Sequence, residues 1–434
     1  MLISKNVIAS KQKKLFFRFL EKINHLKHNK INISLSFQSF GCTWQDNSSF
    51  MHLKYLSESS IKNKVRIFYY LLKDLFFIST LDNFVIRENK NKKTYKNLVC
   101  NWASKNCFDK YGNYTDEKFL NFQGDNTAWL CLGYDDMSKI KFEKKCILFF
   151  NKKTQFKILF LIKKITEIVF RNKFSLYKIY NYANFYSEYS IKLSSIIEDI
   201  INKKKIKKII FPYEGQPFQD YFIKQIKLKN PKIKVYGYAH SSQPLPLHLI
   251  YKENKIDKLI AHNHNQHFHL YKRLGWPKKK LKIEKSKKIS KLNKNKYLNT
   301  IMLPYGFNSA DLILNSIKNL AEAKKINFRN FFVKNHPLML TSNVHIDLVN
   351  KIKELISNYT NRKKYKTKKS TTIIIGATSS APEALQTIQD VYHVFEEGIT
   401  QAYSNYFWPN IQVEYISENV AKYTTNYKKN LFIK

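Results

Sequence analysis

The chain has 434 residues, 44% of them hydrophobic and 15% aromatic, which excludes wholesale disorder and predicts two domains rather than one. Its formal charge of +44 points either to a polyanionic partner, such as an anionic membrane surface, or to coding bias. Arginine, the residue that forks onto bases and phosphates, is scarce among the lysines, so no nucleic-acid partner is expected.

In chain order, residues 1–30 predict a basic amphipathic helix with Leu15, Phe16, Phe19, Leu20 and Ile23 on one face, a core-packing stripe. Residues 31–150 resist assignment: short apolar segments such as 65–77 and 129–133 alternate with polar turns such as 110–115. They read as a mixed α/β region without a chemical motif, in which Trp44, Asp46, Asn126 and Thr127 are candidates for an acceptor site. Helices are predicted over 154–172 and 186–202. The pattern then alternates: strand 206–211, helix 219–227, strands 233–238 and 257–261, helix 266–274 closed by Gly275, and a short strand 281–284. Such alternation means βαβ units and a parallel sheet.

Polar, charged residues from 285 mark a linker. Alternation resumes with strand 300–304, helix 309–325, strand 328–333, helix 344–358, strand 371–375, helix 381–388, strand 391–395 and a last strand 411–415. The division is an N-terminal α/β domain 1–284, a linker 285–299, a C-terminal Rossmann-like domain 300–416, and a tail 417–434 packing back across both halves. The positive excess lies upstream, because residues 371–434 carry six acidic and four basic side chains.

The five cysteines, Cys42, Cys100, Cys107, Cys131 and Cys146, are odd in number and show no CxxC spacing, which supports neither a zinc knuckle nor a disulfide framework. No leader is visible and the apolar runs are too short to span a bilayer. A cytoplasmic protein, peripheral at the inner face of the membrane, is expected.

Three places carry chemistry. Glu214-Gly215-Gln216-Pro217 follows one strand and His240-Ser241-Ser242 follows the next, and ligands of α/β folds bind at that edge. Lys334-Asn335-His336-Pro337 presents an imidazole after a strand, able to bond a phosphate or protonate a leaving group. Gly376-Ala377-Thr378-Ser379-Ser380-Ala381-Pro382-Glu383 joins a strand to a helix start, a phosphate cradle or a simple cap by Ser379 or Ser380; Glu383 either caps or holds a ribose hydroxyl. His262, His264, His267 and His269 offer a rival metal cluster, but no acidic ligand is close in sequence and residues two apart cannot share a helix face. They read as a polar loop at the cleft edge, and no metal site is assigned.

An acidic residue before glycine, then His-Pro, then Ser-Ser, on two Rossmann-like blocks, resembles the GT-B glycosyltransferases. More narrowly it resembles the bacterial sialyltransferase and Kdo-transferase type. PYEGQPFQ, GYAHSSQP and LGWP are similar to bacterial surface-polysaccharide biosynthesis proteins of the same fold. The resemblance covers roughly residues 206–400 and implies an α/β, GT-B-like fold of two Rossmann-like domains facing a cleft. It implies Glu214 as catalytic base, although Tyr213 stands where a second acidic residue is usual. It implies His336 on the donor phosphate as it leaves, and Ser379 and Ser380 binding that phosphate, with Lys334, Thr378 and Glu383 beside them. Gln216, His240 and Ser241 fall on the acceptor side, His240 without a transferable role. The implied substrates are a nucleotide-sugar donor, a CMP-sugar, and a glycan or glycolipid acceptor, with neither metal nor other cofactor. The rivals are a CDP-polyol phosphotransferase of related fold, an inactive GT-B-like protein, and a basic polyanion-binding protein.

Overall fold

The computed structural model describes residues 7–425 apart from 29–76, 90–92, 116–123, 134–135, 153–156, 172, 175–184, 216, 240–241, 252–254, 285–296, 324–325, 329, 337–338, 361–370, 377, 379 and 386–389. The linker at 285–296, Trp44 and Asp46 therefore lie outside the described residues.

Eight strands form the first sheet: β1 (Phe84–Glu88), β2 (Asn97–Ala103), β3 (Thr127–Gly133), β4 (Cys146–Asn151), β5 (Lys208–Tyr213), β6 (Lys234–Ala239), β7 (Lys258–Ala261) and β8 (Leu281–Ile283). Their order is β1-β4-β3-β2-β5-β6-β7-β8. Every neighbouring pair is parallel except β1 with β4. A parallel strand covered on both faces needs apolar residues at odd and even positions alike. Leu98, Leu130, Ile147, Phe149, Ile209 and Phe211 accordingly enter one core, while Val99, Trp129, Leu148, Phe150 and Ile210 enter another on the opposite face. The region that resists assignment thus supplies half of the first sheet. Its strands escape the alternation argument because the β3–β4 connection, where described, is turns rather than helix.

Helices α1 (Val7–His28), α2 (Ile158–Arg171), α3 (Phe185–Lys204), α4 (Pro217–Lys229) and α5 (His264–Lys272) accompany this sheet in sequence. In α3 the buried Leu193, Ile196, Ile197, Ile200 and Ile201 recur at helical spacing against the sheet. Gly275 closes the α5 region with φ +77°, as expected of a helix-terminating glycine.

The second sheet holds β9 (Thr300–Met302), β10 (Phe332–Lys334), β11 (Thr371–Ile375), β12 (Asp390–Val394), β13 (Ile411–Ser417) and β14 (Val420–Thr425), ordered β10-β9-β11-β12-β14-β13. Its first four strands are parallel; β14 pairs antiparallel with β12 and β13. Helix α6 (Ala310–Glu322) is capped by the Ser309 hydroxyl, which accepts from Leu312 N–H at 3.2 Å. It buries Ile313, Ile317 and Leu320, and α7 (Asn343–Thr360) buries Leu348, Ile352 and Ile356 in the same core. Two short helices follow, α8 (Ser380–Ala384) and α9 (Gly398–Gln401). The architecture is two Rossmann-like α/β units, GT-B-like as expected.

Three expectations are corrected. The helix expected over 381–388 is only five residues, α8. Residues 417–425 are not a tail crossing both halves: β14 inserts between β12 and β13, because Val420, Ala421 and Tyr423 alternate between the two faces of the second sheet. Helix α1, counted with the first unit, packs on the second. Ile8 stands where a Cβ on Gly398 would approach its Cδ1 to 2.8 Å, and Phe16 meets Phe407 edge-on at 5.8 Å between ring centroids. One core runs without interruption from Leu98 and Phe211 of the first sheet to Val391 and Tyr423 of the second.

Candidate active site

In an open parallel sheet the binding crevice lies past the carboxyl ends of the strands, where the strand order reverses. The first sheet reverses between β2 and β5. Their ladder stops at Val99 paired with Ile210, although both strands run on. They part there, and a small crevice opens among Cys100, Trp102, Phe211, Pro212, Gln219 and Phe222. Burial pushes the Cys100 thiol up to about 12, so it behaves as packing. The described cysteines are all free.

Glu214 sits at this point, one residue beyond β5 and 7% exposed. The turn that holds it is built by Gln219. Its Oε1 accepts from Glu214 N–H at 2.9 Å and its Nε2 donates to the Pro212 carbonyl at 2.6 Å. Gly215 turns the chain in the left-handed region, φ +64°. The same device recurs twice. Gln266 accepts from His262 N–H at 2.7 Å past β7, and Gln401 accepts from Glu396 N–H at 2.9 Å past β12. A glutamine in or beside the first helical turn thus satisfies the amide that each strand leaves exposed.

Gln216, His240 and Ser241 lie outside the described residues. Their neighbour Ser242 is described: its hydroxyl accepts from Gln266 Nε2 at 3.0 Å. Asn126 and Thr127 stand at the amino end of β3, opposite the edge that carries Glu214. His262 lies in the bend just past β7, while His264, His267 and His269 lie on helix α5 rather than in a loop, and the four diverge. His262 Nδ1 lies 3.2 Å from the Glu284 carbonyl, His264 is exposed, His267 is half-buried, and His269 is buried with Nδ1 3.3 Å from the Phe407 carbonyl. Among the described residues no three His, Cys, Asp or Glu side chains gather as a metal site requires.

The second sheet reverses between β9 and β11, and three loops meet at that edge. Gly376, at φ +66°, lies so close to the first that an added Cβ would come within 3.1 Å of the Pro304 ring. The next residue of the β9 loop, Tyr305, meets the His336 ring edge-on at 5.5 Å. His336 is half-buried. Its loop is fixed by Asn335, whose Oδ1 accepts from His336 N–H and whose Nδ2 donates to the Met339 carbonyl, both at 2.8 Å. Burial, with His345 adding to it, holds the His336 imidazole below its ordinary value. At neutral pH it is an uncharged hydrogen-bond partner. Lys334 ends β10, side chain exposed, and its carbonyl accepts from Leu303 N–H at 3.0 Å.

In the third loop Ser379 lies outside the described residues. Thr378 Oγ1 accepts from Ser380 N–H and donates to Ser380 Oγ, both at 3.1 Å. Thr378 thus caps the Ser380 amide. The shortness of α8 also leaves its dipole small, so hydroxyls and loop amides are what this turn offers an anion. Glu383 Oε2 accepts from Tyr297 Oη at 2.6 Å. The Tyr297 carbonyl accepts from the Thr372 hydroxyl, so Glu383 ties α8 to the chain entering the second unit.

The two edges are joined by a segment that the sequence argument passed over, 402–408. Tyr403 is buried, and its hydroxyl lies 2.7 Å from the Ser242 carbonyl of the first unit and 2.7 Å from the Thr378 carbonyl of the second. One phenolic proton serves both. Burial, with Tyr423 and Glu383 adding to it, raises the phenol well above its ordinary value and keeps it a donor. Trp408 Nε1 donates to the carbonyls of Gln243 and Pro244 at 3.1 and 3.2 Å. From below, Gln12 Nε2 donates to the Ile399 and Ala402 carbonyls at 2.8 and 2.7 Å. Under the third loop, His393 Nε2 donates to the Gly376 carbonyl at 2.7 Å, and its Nδ1 accepts from Tyr423 Oη at 3.0 Å. Tyr423 Oη accepts in turn from Tyr403 N–H at 3.0 Å. The signal for this joint was four aromatic residues, Tyr403, Tyr406, Phe407 and Trp408, within six positions.

The carboxyl edges of the two sheets therefore face each other. From Ser242, past the end of β6 beside the strand that leads to Glu214, the path runs through Tyr403 and Thr378 to Gly376, Pro304, Tyr305 and His336.

No protein-family profile and no curated protein matches the chain. Solved structures similar to it include a glycosyltransferase from Rickettsia africae ESF-5, 13% identical with a TM-score of 0.31 over 68% of this chain and 72% of that one. Another is the UDP-GlcNAc 2-epimerase from Neisseria meningitidis bound to UDP-GlcNAc, 10% identical with a TM-score of 0.36 over 70% and 83%. Likeness at that level carries no argument about chemistry, and the two-unit architecture rests on the strand order and contacts above.

Proposed function

We propose that the chain is a GT-B-type glycosyltransferase that moves a sugar from a nucleotide donor, a CMP-sugar of sialic acid or Kdo, to a glycan or glycolipid acceptor of a bacterial surface. The observation that supports this most is the Tyr403 hydroxyl. By binding Ser242 and Thr378 together it holds the edge bearing Glu214 against the edge bearing the Gly376–Ser380 turn and His336.

In this scheme the donor nucleotide lies on the second unit. Its phosphate meets the hydroxyls of Thr378, Ser379 and Ser380 and the uncharged His336, which donates a hydrogen bond as negative charge grows on the leaving phosphate. Glu214 takes the proton of the acceptor hydroxyl while that oxygen attacks the anomeric carbon and the bond from carbon to phosphate oxygen breaks. The acceptor enters beside β5 and β6, near Gln216, His240 and Ser241.

A thermal-shift panel of CMP, CDP, UDP, GDP and ADP tests the donor. Selective stabilisation by CMP is expected; no response to any nucleotide would remove the enzymatic reading, and turnover of a CDP-polyol without sugar transfer would replace it by a polyol phosphotransferase. Glu214→Gln keeps the shape and the Gln219 bond to the backbone. It should reduce turnover about 10²–10⁴-fold, the usual worth of a general base, and leave the nucleotide shift unchanged. Full turnover in that variant would take the role from Glu214.

A further inference from the structure

Helix α2 carries an apolar arc that the fold leaves open. Its inner side is accounted for: Ile168 is buried, and Phe160 and Leu161 pack against the main core. On the outer side Ile158, Leu159, Ile162, Ile165 and Phe170 are exposed by 60%, 80%, 55%, 38% and 64%, and Phe174, just past the helix, by 65%. At 100° per residue Ile158, Ile162 and Ile165 share one line, and Leu159 and Phe170 lie together on one side of it. The rings of Phe170 and Phe174 meet at 5.1 Å and extend the surface past the helix end. No other described helix exposes more than two large hydrophobic side chains. Isolated exposed leucines are ordinary, but a contiguous arc marks an interaction face.

The surrounding charge selects the occupant. Residues 157–174 hold Lys157, Lys163, Lys164, Arg171 and Lys173 against a single acid, Glu167, on a chain of net +44. A second copy of this chain would bring the same positive charge to the interface, which disfavours self-association through it. A bilayer rich in anionic lipid supplies an apolar slab and a negative surface together. At 14 residues α2 is about 21 Å long, and no described helix is long and apolar enough to cross a membrane. We propose that α2 lies in the plane of an anionic bilayer, with Ile158, Leu159, Ile162, Ile165, Phe170 and Phe174 among the acyl chains and the lysines at the headgroups. α2 follows β4, whose carboxyl end lies on the sheet edge that also carries Glu214. The inference stands on α2 and does not depend on glycosyl transfer.

Co-sedimentation of the full chain with vesicles of phosphatidylglycerol and phosphatidylethanolamine, against vesicles of phosphatidylcholine alone, tests it. The protein should bind the first and not the second, and less as salt rises. The triple variant Leu159→Glu, Ile162→Glu, Phe170→Glu should lose binding at least tenfold with its melting temperature unchanged, since all three side chains are exposed. Val344→Glu with Ile346→Glu, on the outer face of α7, should bind as the parent does. If the triple variant does not fold, Leu159→Gln alone reads the same direction. The proposal fails if the parent ignores anionic vesicles or if the α2 variants bind undiminished. It also fails if the parent is a dimer that the triple variant splits.

Discussion

The two facing edges are secured in different ways. The Glu214 turn is held from within its own unit: Gln219, five residues on, satisfies both Glu214 N–H and the Pro212 carbonyl. The Gly376–Ser380 turn is held by groups far along the chain, His393 on the Gly376 carbonyl and Tyr403 on the Thr378 carbonyl, and Tyr403 also grips the other unit. A self-contained turn can be read from a short stretch of sequence and damaged without disturbing its partner. A turn held by the joint cannot. The variants below separate the two arrangements, from the largest effect to the smallest.

Trp408→Ala should act most strongly. The indole is 1% exposed, meets Tyr403 edge-on at 5.5 Å and His269 edge-on at 4.8 Å, and donates into the first unit. Its removal is expected to cost about 3–5 kcal/mol, as for other buried aromatics. The loss should appear as a lowered urea midpoint, and as new proteolytic cleavage between β8 and β9 if the units part. A shift below 1 kcal/mol would mean that the joint is not what holds the units together.

Tyr403→Phe and Gln219→Met make the sharper contrast. Each removes a buried hydrogen-bonding group and should cost about 1–3 kcal/mol. They should differ in titration calorimetry with the nucleotide that the thermal-shift panel selects. Tyr403→Phe frees the Thr378 carbonyl and should weaken nucleotide binding as well as turnover. Gln219→Met loosens only the Glu214 turn and should lower turnover at unchanged nucleotide affinity. Equal effects on affinity would erase the distinction between the two edges.

This difference also explains what was legible in the sequence. Strands β5, β7 and β9 were readable because each is an apolar run followed by a helix, and β6, β8, β11, β12 and β13 because each is a short apolar or β-branched run, whereas the start of β10 and the whole of β14 were not legible. Residues 371–375 match β11 at both ends. Strands β1–β4 were not, since β3 and β4 are buried on both faces and no helix with its own periodicity separates them. Glu214 and His336 could be picked out because each lies within a few residues of the strand that positions it. His393, Tyr403, Trp408 and Gln12 could not, because their partners are 17, 25, 165 and 390 residues away. Their burial comes from tertiary packing that no local pattern records.

The last contrast is one of pH, and here both sides of the joint respond alike. His269, from the first unit, is held down to about 3 by burial, which outweighs the opposing effect of its bond to the Phe407 carbonyl. His393, from the second, is held down to about 4 by burial, against the opposing effect of the Gly376 carbonyl. In the unfolded chain both titrate near the ordinary histidine value, about 6.5. Above that pH neither state takes up a proton and these residues give stability no slope. Below it the unfolded chain binds two protons that the folded chain refuses, so stability falls as pH falls toward 4. Each histidine contributes about 1.4 kcal/mol per pH unit within that window. Urea unfolding at pH 7.5, 6.5, 5.5 and 5.0 should be flat over the first step and then decline, above the range where most carboxylates titrate. His269→Gln and His393→Gln should each remove a comparable and large share of the decline, because glutamine can donate to the same carbonyl and does not titrate; the lesser-shifted His267 and His336 add to what remains. A parent protein with no decline between pH 6.5 and 5.0 would mean that water reaches both imidazoles, and that the joint is open in solution.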